Sequence, residues 1–490
     1  MVYSRKIVFH IRTWEVGLYT ALEDYFLKNT DMELEFHYIT HHFQAEHLLK
    51  KKGRKCLNIN RELKKIPFPS DWWKRLQDLE NRYIGYTRNF QQYLIAERFM
   101  RSKPRVYQMR QLYRTAMFFD SYFAKHKPFF MLSNGPDHMA FWLAMDMLRY
   151  HGGHPCGLVP PSLPRYHFSM YRQVGRIYYG KELYKEYLKK GLSDEEHETV
   201  TELQNAFLKG KAVPVNISHD RFALIRRRSF KTRVKSHLNS TYWQYMENIK
   251  GSWYVTPLRI PGTYFLDKAL VKLRVFIRNF FFNEVLSSDV PFVFFPLHVE
   301  PEATTTIYSN FYENQLETIR SVSKALPVSW ALVVKEHPNN KNGRCLNFYS
   351  SLKKLPNIVL IKTDTPSWIL IRSCRMVATL SGTAGFEASI VGKPVLLFGD
   401  PGWGYSPSVK KVETLHNLSK TISELDRAQL SQDDDRVQAY VLSWIQANPE
   451  GLHSYFSWYP PIDDPKNVAL IGKGLVKLLH DLNKDKFSDA

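Results

Sequence analysis

At 490 residues the chain exceeds what one hydrophobic core supports, so two or three domains are expected. Hydrophobic residues make up 44% and aromatic residues 14%, which excludes a disordered or low-complexity chain. The formal net charge of +21 draws phosphates, acidic glycans, nucleic acid or an anionic membrane alike, and does not choose among them.

The opening segment has a short apolar run followed by charge, unlike a secretory signal. Ile7 to Ile11 predicts a strand, Leu18 to Leu27 a helix and Leu34 to Ile39 a second strand. The stretch from His41 to His47 carries three histidines and a glutamate but misses the HExxH and HxxEH spacings, so it reads as a polar surface stretch. Phe43 to Lys125 is basic, aromatic-rich and helical in pattern. An apolar run then ends at Leu132, a Ser133-to-Asp137 turn follows, and Met139 to Tyr150 predicts a helix. Gly152 and Gly153 stop it before a short strand from Cys156 to Val159. That succession is the grammar of a parallel sheet.

Residues 175 to 285 alternate helical patterns with basic runs and read as the rest of the first domain plus an insertion. Seven Lys and Arg with no acid lie between Arg221 and Lys235, either a solvated helix face or a docking surface for anionic lipid or glycan. From Pro291 the pattern sharpens. Strands are expected at Phe292 to Leu297, Trp330 to Val334, Ile358 to Ile361, Met376 to Leu380 and Val395 to Phe398. Short helices separate them, one of them capped by Asn310. The domains so drawn are 1–285, 286–450 and a helical segment 451–490 that packs back on the first. Asp433-Asp434-Asp435 reads as a helix N-terminus. The four cysteines, Cys56, Cys156, Cys345 and Cys374, are scattered without a CxxC pair. They fit a reducing compartment and offer no zinc site. No run of about 18 apolar residues is present, so a cytoplasmic protein is expected, peripheral at the inner face of the cytoplasmic membrane if it meets lipid at all.

In a doubly wound sheet ligands bind beyond the carboxyl ends of the strands. In the second half of the chain the polar motifs fall at those positions: His298 to Glu302, Glu336 to Pro338, Thr363 to Thr365, Ser381 to Thr383 and Asp400 to Tyr405. Ser381-Gly382-Thr383 opens a helix, where free amides and hydroxyls suit a phosphate, although Ser and Thr serve there equally as plain caps. Glu387 can complement the helix dipole or accept ribose hydroxyls, and Gly385 leaves room for close approach. An imidazole at His337 can donate to a phosphate oxygen or a base edge. The aromatics between Asp400 and Tyr405 form a turn or wall a nucleotide.

At these residues the chain resembles the capsule polysaccharide biosynthesis proteins, which include the bacterial Kdo transferases. The match runs through PLHVEPEAT (Pro296 to Thr304), VVKEHP (Val333 to Pro338) and SGTAGFEASIVGKPVLLFG (Ser381 to Gly399), and more weakly through Met131 to Met139. The His-Pro pair with a later Ser/Thr and Glu element is shared with GT-B sialyltransferases and, more loosely, with glycerophosphate transferases of teichoic acid synthesis. The resemblance implies an α/β, GT-B-like fold of two Rossmann-like domains facing a cleft. It implies inverting, metal-independent transfer of Kdo or a related acidic sugar from a CMP-sugar to a surface polysaccharide or glycolipid, with no cofactor besides the donor. It places His337, Ser381, Thr383 and Glu387 on the nucleotide. The strand-end positions add His298, Glu302, Lys335, Glu336, Pro338 and Gly382 to the donor site.

An inverting transfer needs a base for the acceptor hydroxyl. Asp137, at the end of the Phe129-to-Leu132 strand, is the candidate, although it can equally cap the helix that begins near His138. His138 and Glu15 stand in reserve. The rival readings are a nucleotide-sugar epimerase, a CDP-glycerol-type phosphotransferase, and a non-catalytic basic protein that binds glycan or nucleic acid. For nucleic acid, charge is the only argument.

Overall fold

The computed structural model describes residues 4–161, 163, 167–212, 230–251, 264–282, 284, 285, 287, 289–340, 344–453 and 462–487. The chain divides into two compact units. The first comprises residues 1–173, 214–258 and 448–490. Its strands are β1 (Arg5–Ile11), β2 (Leu34–Thr40), β3 (Cys56–Asn58), β4 (Phe130–Asn134), β5 (His154–Val159) and β6 (Ser169–Gln173). They lie in the order β3-β2-β1-β4-β5-β6, parallel except for the antiparallel β5–β6 pair. β1 is apolar on both faces because helices cover both, and Ile7, Val8, Phe9 and Ile11 are wholly buried. Its register sets Ile11 beside Thr40 and His10 beside Ser133, so the polar ends of β1, β2 and β4 come level. The helix Pro465–Asn483, capped by Asp464, packs on the helix Val16–Asn29. Gly472 permits the approach, since a Cβ there would lie 2.4 Å from the Tyr25 ring.

The second unit comprises residues 174–213 and 259–447. After the two-residue β7 (Arg176–Ile177) it contains β8 (Phe292–Pro296), β9 (Ala331–Lys335), β10 (Ile358–Ile361), β11 (Met376–Thr379), β12 (Val395–Leu397) and β13 (Val409–Lys411). The last six form a parallel sheet ordered β10-β9-β8-β11-β12-β13. Each unit therefore carries a doubly wound, largely parallel sheet, the α/β class expected from the sequence.

The units differ from the domains drawn along the sequence. The helices Gly180–Lys190 and Asp194–Leu208 belong with the second sheet, packed on the helix Asp435–Ala447. Gln204 fixes them there by donating to the Ile390 and Gln432 carbonyls. Amphipathic helices of this length show an apolar face in sequence but not which sheet covers it. The cap of the helix Gln315–Ala325 is Asn314, which accepts from the Glu317 amide, and not Asn310, which donates to the Thr306 carbonyl. Asp434 precedes the helix Asp435–Ala447 and accepts from the Arg436 amide, as its acidic run implied. The His41-to-His47 stretch is not a surface feature throughout: His41 is buried, its ring 5.2 Å from that of His10. Of the basic run Arg221 to Lys235, the first nine residues lie outside the described residues. Among the described residues no helix is long and apolar enough to cross a membrane.

Candidate functional site

The ends of β8, β9 and β11 are neighbours in the second sheet, and the sequence motifs meet there. The chain leaves β11 through Thr379 to Gly382 and enters the eight-residue helix Thr383–Ile390 with Gly382 as its N-cap. No side chain caps this helix. The Ser381 hydroxyl donates to the Thr304 carbonyl at 2.9 Å, tying the turn to the loop after β8. Thr379 Oγ1 accepts from the Gly382 amide at 3.2 Å and lies 3.3 Å from His298 Nε2. A side chain at position 382 would meet that nitrogen at 2.6 Å. The plain-cap reading of Ser381 and Thr383 is therefore not what the fold uses, and a dipole-bearing N-terminus opens at the strand ends.

Lys335 ends β9, buried, with its Nζ donating to Ser367 Oγ at 3.0 Å. Burial lowers its pKa, while Glu387 and Asp364 pull the other way. Glu387 keeps part of its surface open, yet the packing around it raises its carboxyl to about 7, against which the Lys335 charge acts. His337 is half-buried, and burial lowers its pKa, so the ring is neutral near pH 7. Its Nδ1 accepts from the Asn339 amide at 3.1 Å, which assigns the proton to Nε2. His337 thus presents a neutral N–H donor.

Two residues assigned to the donor site from sequence are buried and hydrogen-bonded within the fold. Glu336 is buried: it accepts from its neighbour's amide (2.8 Å), Tyr349 Oη (3.1 Å) and Arg344 Nε (3.2 Å). His298 is buried beneath the Gly382 turn, its backbone clamped by Gln315, which accepts from its amide at 2.7 Å and donates to its carbonyl at 3.0 Å. Arg344 binds both, donating also to the His298 carbonyl. Arg344, Gln315 and Tyr349 escaped the sequence analysis because they belong to no strand end. Glu302 and Pro338 lie exposed at the rim. The space beside Gly385 is filled by Thr379 and Trp403, at 2.5 and 2.7 Å from a hypothetical Cβ, so this glycine serves helix packing rather than ligand approach. Trp403 and Tyr405 likewise face the core, against Phe386 and against Tyr440 and Trp444, and Asp400 pairs with Lys411.

A second polar cluster sits at the strand ends of the first unit. Arg12, just past β1, pairs with Asp137 and lies 4.9 Å from the Phe141 ring centroid. Arg98 and His138 approach the other Asp137 oxygen at 3.8 and 3.6 Å. The helix Met139–Tyr150 is held by Glu97, which accepts from the Met139 amide at 2.9 Å. Asp137 is thus not the cap that sequence left as its alternative role. Glu15 is fully buried and accepts from the Arg12 amide (2.6 Å) and Asn134 Nδ2 (3.1 Å), with His453 Nε2 at 3.5 Å. Burial, then Arg12, lowers His10 and His42 to about 3 and His138 well below its usual value, while burial raises Glu97 to about 7. Among the described residues no group of three His, Cys, Asp or Glu could hold a metal ion.

The shift on Glu387 has a stability consequence. Its folded pKa is raised above the ordinary 4.5 to about 7, so over that window the unfolded chain binds fewer protons. Its contribution is present below the window and is lost as pH rises through it. Glu387→Gln should flatten this part of the thermal-stability profile. A slope identical to wild type would assign the pH dependence to other groups.

Residues 281–430 match the family model for capsule polysaccharide biosynthesis proteins. No curated protein sequence matches. Among solved structures, a Thermosulfurimonas dismutans KpsC, a beta Kdo 2,7 transferase, is 12% identical over 97% of this chain and 99% of that one, with a TM-score of 0.39. The beta Kdo 2,4 transferase of the same KpsC is 12% identical over 72% and 88%, with a TM-score of 0.37. A UDP-GlcNAc 2-epimerase from Methanocaldococcus jannaschii, in complex with UDP-GlcNAc and UDP, is 11% identical over 98% and 99%, with a TM-score of 0.29.

Proposed function

We propose, from the match of residues 281–430 to the family model for capsule polysaccharide biosynthesis proteins, that the chain is a glycosyltransferase that moves a sugar from a CMP-activated donor, Kdo or a related acidic sugar, to a polysaccharide or glycolipid acceptor. The observation that carries the reading is the gathering of Lys335, the Nε2–H of His337, Glu387 and an N-terminus without a side-chain cap at adjoining strand ends. A nucleoside monophosphate asks for that set: positive charge and amides for phosphate, a neutral donor for its ester oxygens, a carboxylate to accept ribose hydroxyls. The acceptor base is assigned to Asp137 in the first unit, with Glu15 and His138 behind it, and the transfer is inverting. CMP leaves with its charge met by Lys335 and the helix terminus, so no metal is required in this mechanism.

A panel of nucleotides in a thermal-shift assay tests the donor. CMP at about 100 times its dissociation constant should add roughly 2.7 kcal/mol of stability. Stabilisation by UDP and not by CMP would sink the CMP assignment and favour a UDP-sugar enzyme such as an epimerase. Activity should survive EDTA; full loss restored by magnesium or manganese would overturn the metal-free mechanism.

A further inference from the structure

Two helices are turned inside out for a protein in water. In the helix Tyr264–Phe281, Leu270, Leu273, Phe276 and Phe280 are exposed, Phe276 and Phe280 to 72% and 68%, while Arg278 is buried. Arg278 donates to the Asn340 carbonyl and to Asn279, which fixes that side of the helix inward. At 3.6 residues per turn the four apolar residues fall within about one third of the circumference. Lys272 and Arg274, both exposed, flank them one on each side. The helix Phe230–Ile249 repeats the arrangement. Leu238, Tyr242, Tyr245 and Ile249 form one stripe, Leu238 and Ile249 exposed to 63% and 61%, and Glu247 on the opposite side is buried and accepts from the Gln44 amide. Just before that stripe the sequence carries seven Lys and Arg without an acid between Arg221 and Lys235.

We propose that each of these helix faces, one in either unit, binds anionic lipid, the apolar side chains entering the interface and the neighbouring cations meeting headgroup phosphates. Single exposed apolar residues need no explanation. Two stripes at helical spacing, each opposite a buried charged residue, do. A second copy of this chain is a poor occupant, because it brings a second +21 against the same cationic flanks. Anionic lipid supplies both the missing charge and the missing apolar medium. The inference stands apart from the proposed reaction, because lipid binding is read without donor, acceptor or turnover.

The test is flotation of the full chain with vesicles of phosphatidylcholine alone or mixed with phosphatidylglycerol. The wild type should bind the mixed vesicles, bind phosphatidylcholine far less, and be released as salt rises. Phe276→Ser/Phe280→Ser and, separately, Leu238→Ser/Ile249→Ser should each weaken binding by about 30-fold or more. Both pairs are exposed, so the thermal midpoint should not fall. Equal binding to neutral and anionic vesicles, or wild-type binding by both variants, overturns the proposal. A wild-type dimer in solution that either variant turns into a monomer also overturns it, by assigning the stripes to contact between copies.

Discussion

Asp137→Asn is expected to lower transfer turnover by roughly 100-fold or more while leaving CMP affinity near wild type, with some loss of stability because the part-buried Arg12 loses its counter-charge. The N-terminus of the helix that follows is held by Glu97 through the Met139 amide, so replacing Asp137 removes no cap. What it touches is Arg12, Arg98 and His138, and an asparagine keeps an acceptor for Arg12 with nearly the same shape. Only the negative charge and the capacity to take a proton are lost. Its side chain also retains 23% exposure, whereas Glu15 is fully buried and already accepts two hydrogen bonds. Release of CMP from the donor in the presence of acceptor measures turnover, and calorimetry measures CMP affinity. Near-normal turnover in Asp137→Asn would remove it as the base, and Glu15→Gln would be measured next.

Much of the second sheet is legible in the sequence because its strands are continuous apolar runs closed by turn residues, which buried parallel strands must be. That is why the ends of β8, β9 and β11 could be placed, and with them Lys335, His337, Ser381 and Glu387. The placement of a residue along a strand end does not tell whether its side chain looks outward or down. Glu336 and His337 are adjacent, yet one is sealed beneath the site and the other faces it. The same limit hid the role of Gly385, whose neighbour Trp403 arrives from a loop 18 positions away. In the first unit, His41 looks like a surface residue because polar side chains usually are. Its burial beside His10 follows from the level ends of β1 and β2, a register that no local pattern shows. The unit boundaries were least legible, since the helices 180–208 fold onto a sheet that starts more than 80 residues later.

Arg344→Ala is expected to cost about 3–5 kcal/mol, the range for breaking a buried ion pair from one side, and to abolish CMP binding, although Arg344 need not touch the nucleotide. Its guanidinium is 6% exposed and reaches Glu336 at 3.2 Å, Glu300 at 2.8 Å and the His298 carbonyl, with the Phe348 ring centroid 4.8 Å away. Removing it leaves Glu336 in a dry site with, among the described residues, the Tyr349 hydroxyl and the His337 amide as its remaining partners. The backbone of His337 then loses its fixed anchor, and with it the orientation of the imidazole. The His298 carbonyl loses one of its two side-chain donors beneath the Gly382 turn. A double-mutant cycle separates an ionic role from simple loss of packing. Adding Glu336→Gln to the variant should restore part of the stability, a coupling that the cycle reads directly. If the two substitutions prove additive, Arg344 acts through packing on Phe348, and the donor site must owe its rigidity to Gln315 instead.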